Sequence, residues 1–232
     1  MSTAVPKESL PRKAAPERSP NLLTRAVVLG GMAMMAVAVF DRLENGRSPL
    51  DPMWDDYQPA PLVMEGGDPY LRALMRTISA SEANDPRPYS LLYGGDRAPS
   101  LDQHPDICIP IVVGPNVGDC TTAAGRYQFL SSTWEEQARK YHPKPDGLLW
   151  WEQYSFAPEY QDWVMHNWLD DPRAWNADLS ELLRDGQLDT VLYILSPTWT
   201  SLGYGIETNS MTASLPVIYE EMLAEELVQS AE

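Results

Sequence analysis

Between Asp68 and Pro88 the chain admits one local structure, and that structure delivers a carboxylate to an apolar face. Asp68 and Pro69 open a helix: Asp accepts hydrogen bonds from the first unpaired amides, and Pro suits the first helical position. Leu71, Leu74, Met75 and Ile78 recur at i, i+3, i+4 and i+7, a stripe that faces a core. Asn84, Asp85, Pro86 and Pro88 stop the helix. Glu82 lies four residues beyond Ile78, on the same face. An anion is costly there, and the negative end of the helix dipole adds to the cost. Both effects favour the protonated acid, and an acid that keeps its proton near neutrality is a general acid. Position alone equally fits a solvated helix-end residue, so the rest of the chain must decide.

Downstream, residues 89–130 read as irregular and β-like. The runs SLLYGGD, ICIPIVVGP and GRYQFL are short and apolar, separated by Gly, Pro and Asp. From Ser131 the pattern turns helical. Ser132 and Glu135 have capping-box spacing ahead of a helix over 133–141. Further helices are expected over 158–169, 178–185, 187–195 and 212–228, punctuated by Gly147, Pro172, Gly186, Pro197 and Gly203. Trp134, Trp163 and Trp168 fall on helical faces and read as core. The expected fold class is α+β: a predominantly α-helical domain over 68–232, with a small β region after its first helix.

Upstream, three segments precede that domain. Residues 1–25 form a basic, Pro-rich tail with five Lys or Arg against two Glu. Residues 26–40, AVVLGGMAMMAVAVF, carry no charge, whereas a packed amphipathic helix would show polar positions at helical spacing. The run is short for a full membrane span and fits the apolar core of a signal peptide, with Ala36 and Ala38 as a small-x-small pair. An uncleaved anchor and a buried helix fit it too. Signal or anchor both export the downstream domain and leave the basic tail in the cytoplasm. Residues 41–67, rich in Pro and Gly, read as a linker, though Trp54 and Tyr57 are suited to packing on the domain.

The compartment decides the fate of Cys108 and Cys120. A reducing one leaves two thiols; export joins them in one disulfide closing a loop. Charge excludes one class of partner. The tail is +3 in a chain whose total is −16, which leaves −19 for the rest, and so acidic a body is unsuited to nucleic acid. His104, His142 and His166 share no metal-ligand spacing, and no phosphate loop or nucleophile elbow is present. No metal or cofactor is expected.

Four features in order give the chain a resemblance to the phage lambda endolysin family of lysozyme-like muramidases. They are Ser81–Glu82 at a helix end, Tyr93–Gly94–Gly95 followed by His104–Pro105, the segment AAGRYQFL at 123–130, and Trp199, Ser201, Leu202, Gly203, Tyr204 and Gly205. The third is the most specific, and the match spans about 68–225. Three departures stand out. Ala83 follows the Glu where the family has Gly, 106–119 is a lengthened loop, and the Ser-Leu and Gly-Tyr-Gly pieces abut.

The resemblance implies a lysozyme-like fold, peptidoglycan glycan strands as the partner, and Glu82 as the catalytic residue. It implies one Glu acting alone, first as acid on the leaving oxygen and then as base on the sugar's own 6-hydroxyl. Asp96 and Asp102 are the alternatives for a second carboxylate of a hydrolase, and each equally reads as a solvated loop acid. Gln128 and Tyr127 offer an amide and a ring to a substrate groove, with Gly125 allowing close approach; Tyr127 and Phe129 equally read as core. Tyr204, between two glycines, is placed to stack on a sugar, and Arg126 to make an internal ion pair. A monomer is expected, and a glycan-binding protein that holds wall without cutting it is the rival reading.

Overall fold

A computed structural model describes residues 59–112, 116–143, 153–205 and 210–231. The chain divides into two units, Met1–Asp55 and Asp56–Glu232, and every described residue belongs to the second. The tail and the apolar run over 26–40 lie outside the described residues. Among those residues, no helix is long and apolar enough to cross a membrane.

Helix α1, Pro69–Glu82, runs through the middle of this unit. The Asp68 carboxylate caps it, accepting from the amides of Tyr70 at 2.9 Å and Leu71 at 3.2 Å. Leu71, Leu74, Met75 and Ile78 are fully buried, each contributing about 1.5–3 kcal/mol of hydrophobic stabilisation. The helix is buried on its polar side as well. Arg72 and Arg76 lie along α7, Leu215–Gln229, and both bind Glu226, whose side chain is inaccessible to solvent. A buried carboxylate is tolerable because two guanidiniums meet it.

The end of the expected linker is part of the fold. Leu62 and Met64 reach the core, and buried polar side chains bind the irregular backbone around them. Arg76 donates to the Pro59 carbonyl (2.9 Å), and Arg126 donates to those of Ala60 and Pro61. Arg72 donates to Met64 and Gly66. The Asp162 carboxylate accepts from the amides of Val63 and Met64, and the Asp68 amide donates to Nε2 of His166 at 3.0 Å. Backbone without a regular ladder must find such partners when buried. Arg126 is buried as expected, but in place of the expected ion pair its guanidinium hydrogen-bonds this strap and the Tyr89 hydroxyl.

The remaining helices surround α1. They are α2 (Ser131–Tyr141), α3 (Pro158–Leu169), α4 (Pro172–Trp175), α5 (Leu179–Arg184) and α6 (Leu188–Leu195). Helices α3 and α5 pack on α1, α2 packs on α3, and α5 packs on α6. An aromatic cluster of Phe129, Trp134, Phe156, Trp168, Trp175 and Trp199 fills the space beside them. Trp163 does not join it and is 41% exposed, because five residues on a helix turn it about 140° from Trp168.

The β region is smaller than the apolar runs suggested. Strand β1, Ile109–Pro110, pairs antiparallel with β2, Cys120–Thr121, and the neighbouring segments contribute only isolated bridges. Cys108 and Cys120 are joined in a disulfide beside this pair. The expected capping box on α2 does not form. The helix starts two residues earlier, at Ser131, whose amide instead binds the Thr122 hydroxyl at 3.0 Å. Helix α4 was not expected; the Asp171 side chain caps it and Pro172 opens it, the same device that opens α1.

Candidate active site

Glu82 is the last residue of α1 and is half-buried. Its Oε1 accepts a hydrogen bond from the Ser201 hydroxyl. Ser201 belongs to a 3-10 turn, Thr200–Leu202. The Ser81 hydroxyl donates to Ser201 Oγ at 2.8 Å, and the Thr212 hydroxyl donates to the Ser201 carbonyl at 2.9 Å. Ala83, where the family pattern has Gly, has φ −139° and a buried methyl. With φ negative, the position has no need of the left-handed backbone that favours Gly, so the departure leaves the helix end intact.

The carboxyl opens on a cavity of about 420 Å³. One side comes from Ser81 and Glu82 on α1 and from the run Thr198–Ser201. The other comes from Tyr93, from Ile111 and Asn116 of the disulfide-closed loop, and from Thr121, Ala123, Gln128 and Leu130 after it. Glu82 is the one carboxylate lining it among the described residues. Asp96 and Asp102 lie elsewhere and are exposed; Asp102 accepts from Ser100.

The GRYQ segment is a tight turn closed by the Ala124–Phe129 bridge, which alters the expected roles of its residues. Gln128 has φ +47° and reaches the cavity. Its amide nitrogen donates to the Gly125 carbonyl at 2.9 Å, which fixes the side chain. Tyr127 is not in the groove wall. It is fully buried, its hydroxyl donates to Asp162 at 2.6 Å, and burial pushes its phenol pKa upward. Four donors therefore converge on that carboxylate, the others being Tyr89 and the two strap amides. Gly125 serves packing and not substrate approach: with φ +75°, a Cβ there would collide with Gln161 and Phe156.

Tyr204 is half-exposed and lines an adjoining shallow cavity with Tyr193, against which it packs edge-on at 5.6 Å between ring centroids. Thr200 lines both cavities. Thus Glu82 and Gln128 share one space, Tyr204 borders the next, and Tyr127 stands behind the wall. Tyr93, Trp199 and Ser201 stand in the sequence motifs, but nothing in the sequence assigns them a role. Asn116, in the lengthened loop, carried no signal. The three histidines are apart: His104 binds the Phe129 carbonyl, His142 the Ser155 carbonyl, and His166 the Asp68 amide. Among the described residues no group of three or more His, Cys, Asp or Glu side chains is arranged to hold a metal.

Comparison with known proteins gives a consistent picture. The structure of bacteriophage lambda lysozyme complexed with a chitohexasaccharide superposes with a TM-score of 0.51 at 22% identity, covering 68% of this chain and 97% of that one. A second lysozyme structure from bacteriophage lambda gives 0.46 at 17% identity, over 70% and 95% of the two chains. The first establishes a shared lysozyme-like fold. No curated protein matches the sequence. The sequence profile of the Endolysin family matches residues 72–225, which takes in most of α1, the cavity and most of α7. The chain belongs to the Endolysin family.

Proposed function

We propose that this endolysin-family glycosidase cleaves the β-1,4 bond between N-acetylmuramic acid and N-acetylglucosamine in peptidoglycan, with Glu82 as both acid and base. The observation that carries the reading is that, among the described residues, Glu82 is the one carboxylate on a cavity wide enough for a sugar and otherwise lined by hydroxyls, amides, aromatic rings and the aliphatic side chains of Ile111, Ala123 and Leu130. Protonated Glu82 gives its proton to the glycosidic oxygen as the C1–O bond breaks, and the bonding pair leaves with that oxygen. The resulting carboxylate takes the proton of the muramyl 6-hydroxyl, whose oxygen closes on C1. Atoms balance without water, and the product is a 1,6-anhydro sugar. A hydrolase of this type would place a second carboxylate across the scissile bond, and neither Asp96 nor Asp102 lines the cavity.

Gln128 offers its amide group to the sugar's N-acetyl or hydroxyl groups. Tyr204 and Tyr193 offer apolar ring surface beyond it, suited to the faces of pyranose rings. The disulfide supports an oxidising compartment. Export through the apolar run over 26–40, as anchor or signal, belongs to the same proposal. The full-length chain is expected to clear suspensions of permeabilised bacteria, and Glu82→Gln to slow clearing about a hundredfold or more while still binding wall. A wild type that binds wall and never clears it would make the chain a glycan-binding protein instead.

A further inference from the structure

The serine facing Glu82 is held more firmly than a groove-lining hydroxyl requires. Ser201 is buried, and so is Ser81 behind it. Ser81 Oγ donates to Ser201 Oγ, and Ser201 Oγ donates to Glu82 Oε1. The Ser81 hydroxyl is also 3.3 Å from the Ser201 carbonyl, so it braces the Ser201 hydroxyl and backbone together, and the Glu82 carboxyl accepts from the braced hydroxyl.

The turn that carries Ser201 is fixed on several sides. Trp199 Nε1 donates to the Tyr127 carbonyl at 3.0 Å, and Thr212 holds the Ser201 carbonyl. Leu202 is buried in the core, and Gly203 leaves the turn with φ +101°. Gly205 approaches the Thr200 backbone so closely that any Cβ would overlap it. A hydroxyl on so constrained a turn has little freedom to follow a moving carboxylate, so the carboxylate must conform to it.

We infer that Ser201, backed by Ser81, is a positioning residue for the proposed reaction: its hydroxyl fixes the Glu82 carboxyl in the orientation from which the proton is transferred. This rests on the proposed role of Glu82. The residue acts through Glu82 and is assigned no contact with the bond that breaks. Because a general acid works only within hydrogen-bond reach of its target, a carboxyl that loses the Ser201 contact is less often aimed at the bond. The cost then falls on turnover and not on binding, since Gln128, Tyr204 and the loop walls are untouched. A hydroxyl that donates to a carboxylate also stabilises the ionised form. Its removal therefore favours the protonated acid, and the alkaline limb of the rate profile moves to higher pH. Among the described residues Tyr93 is the other ionisable side chain lining the cavity, and beyond the helix end Asp85 is ion-paired with Arg97. All three are left in place.

The test is steady-state turnover of purified peptidoglycan by the full-length chain, its Ser201→Ala variant and a Glu82→Gln control, across pH, with thermal melting alongside. Ser201→Cys keeps the size of the side chain with a weaker donor and serves if the alanine variant does not fold. For a folded variant the expected result is kcat lower by about ten- to a hundredfold, KM changed by less than about threefold, and the alkaline limb displaced upward. Unchanged kcat and pH profile would overturn the inference while leaving the function of Glu82 standing. So would a raised KM at constant kcat, which would make Ser201 part of the groove wall. A wild type without turnover would remove both readings together.

Discussion

At the scale of single residues, Glu82 was legible because two independent regularities placed it. Helical spacing put it on the face of Ile78, and the adjoining motifs marked the same position. Tyr127 illustrates the opposite case. Its motif is correct, but a motif does not say which side of a turn is wet. The φ values of Gly125 and Gln128 turn the amide outward to the cavity and the ring inward to Asp162. Tyr127→Phe is therefore expected to cost about 1–3 kcal/mol in denaturant unfolding, from a buried acceptor left with one donor fewer, and to leave KM for wall glycan unchanged. A raised KM with unchanged stability would return Tyr127 to the groove. Arg72 and Arg76 were invisible for a related reason. Charged residues on a helix read as its solvent side, and nothing local announces a partner such as Glu226, 150 residues away along the chain.

At the scale of elements, the long periodic helices were readable to within a few residues. The short and irregular pieces were not, because tertiary partners decide them. Thr122 replaced the capping box of α2, and β pairing shrank to two residues in each strand. The strap from Pro59 to Gly67 has the composition of a linker, yet its carbonyls satisfy Arg72, Arg76 and Arg126 and its amides satisfy Asp162. Removing it would take several hydrogen bonds from these buried charged groups, which keep only their side-chain partners. A fragment beginning at Asp68 should be less stable in urea than one beginning at Asp56 by at least about 1.5–3 kcal/mol, the scale of one hydrogen bond to a charged group. Equal midpoints and slopes for the two fragments would show that the strap is dispensable. The strap also bears on the groove, because Arg126 lies two residues from Gln128 and anchors the same turn.

At the scale of the whole molecule, the fold gathers an active-site candidate from five stretches: the end of α1, the turn at Tyr93, the disulfide-closed loop, the GRYQ turn with its flanks and the turn after α6. Its pH response is also collective. Burial holds the His104 and His166 pKa values below the ordinary 6.5, so both favour the neutral form when folded. His104 Nδ1 accepts from the Asp106 amide, and His166 Nε2 accepts from the Asp68 amide; protonation would end either bond. The unfolded chain binds protons as pH drops below about 6.5, and the folded chain only at lower pH. The stability from these two groups is thus present above about 6.5 and is lost as pH falls toward and through the folded values. Denaturant midpoints from pH 8 to 5 should decline below that point. A flat profile there would mean that neither histidine is held neutral. The sharpest measurement concerns the chemistry itself: mass spectrometry of the sugars released from peptidoglycan by the full-length chain and by Glu82→Gln. 1,6-Anhydro-muramyl ends are expected from the first and almost none from the second. Reducing ends from the wild type would contradict the single-acid chemistry, and undiminished release by the variant would contradict the role of Glu82.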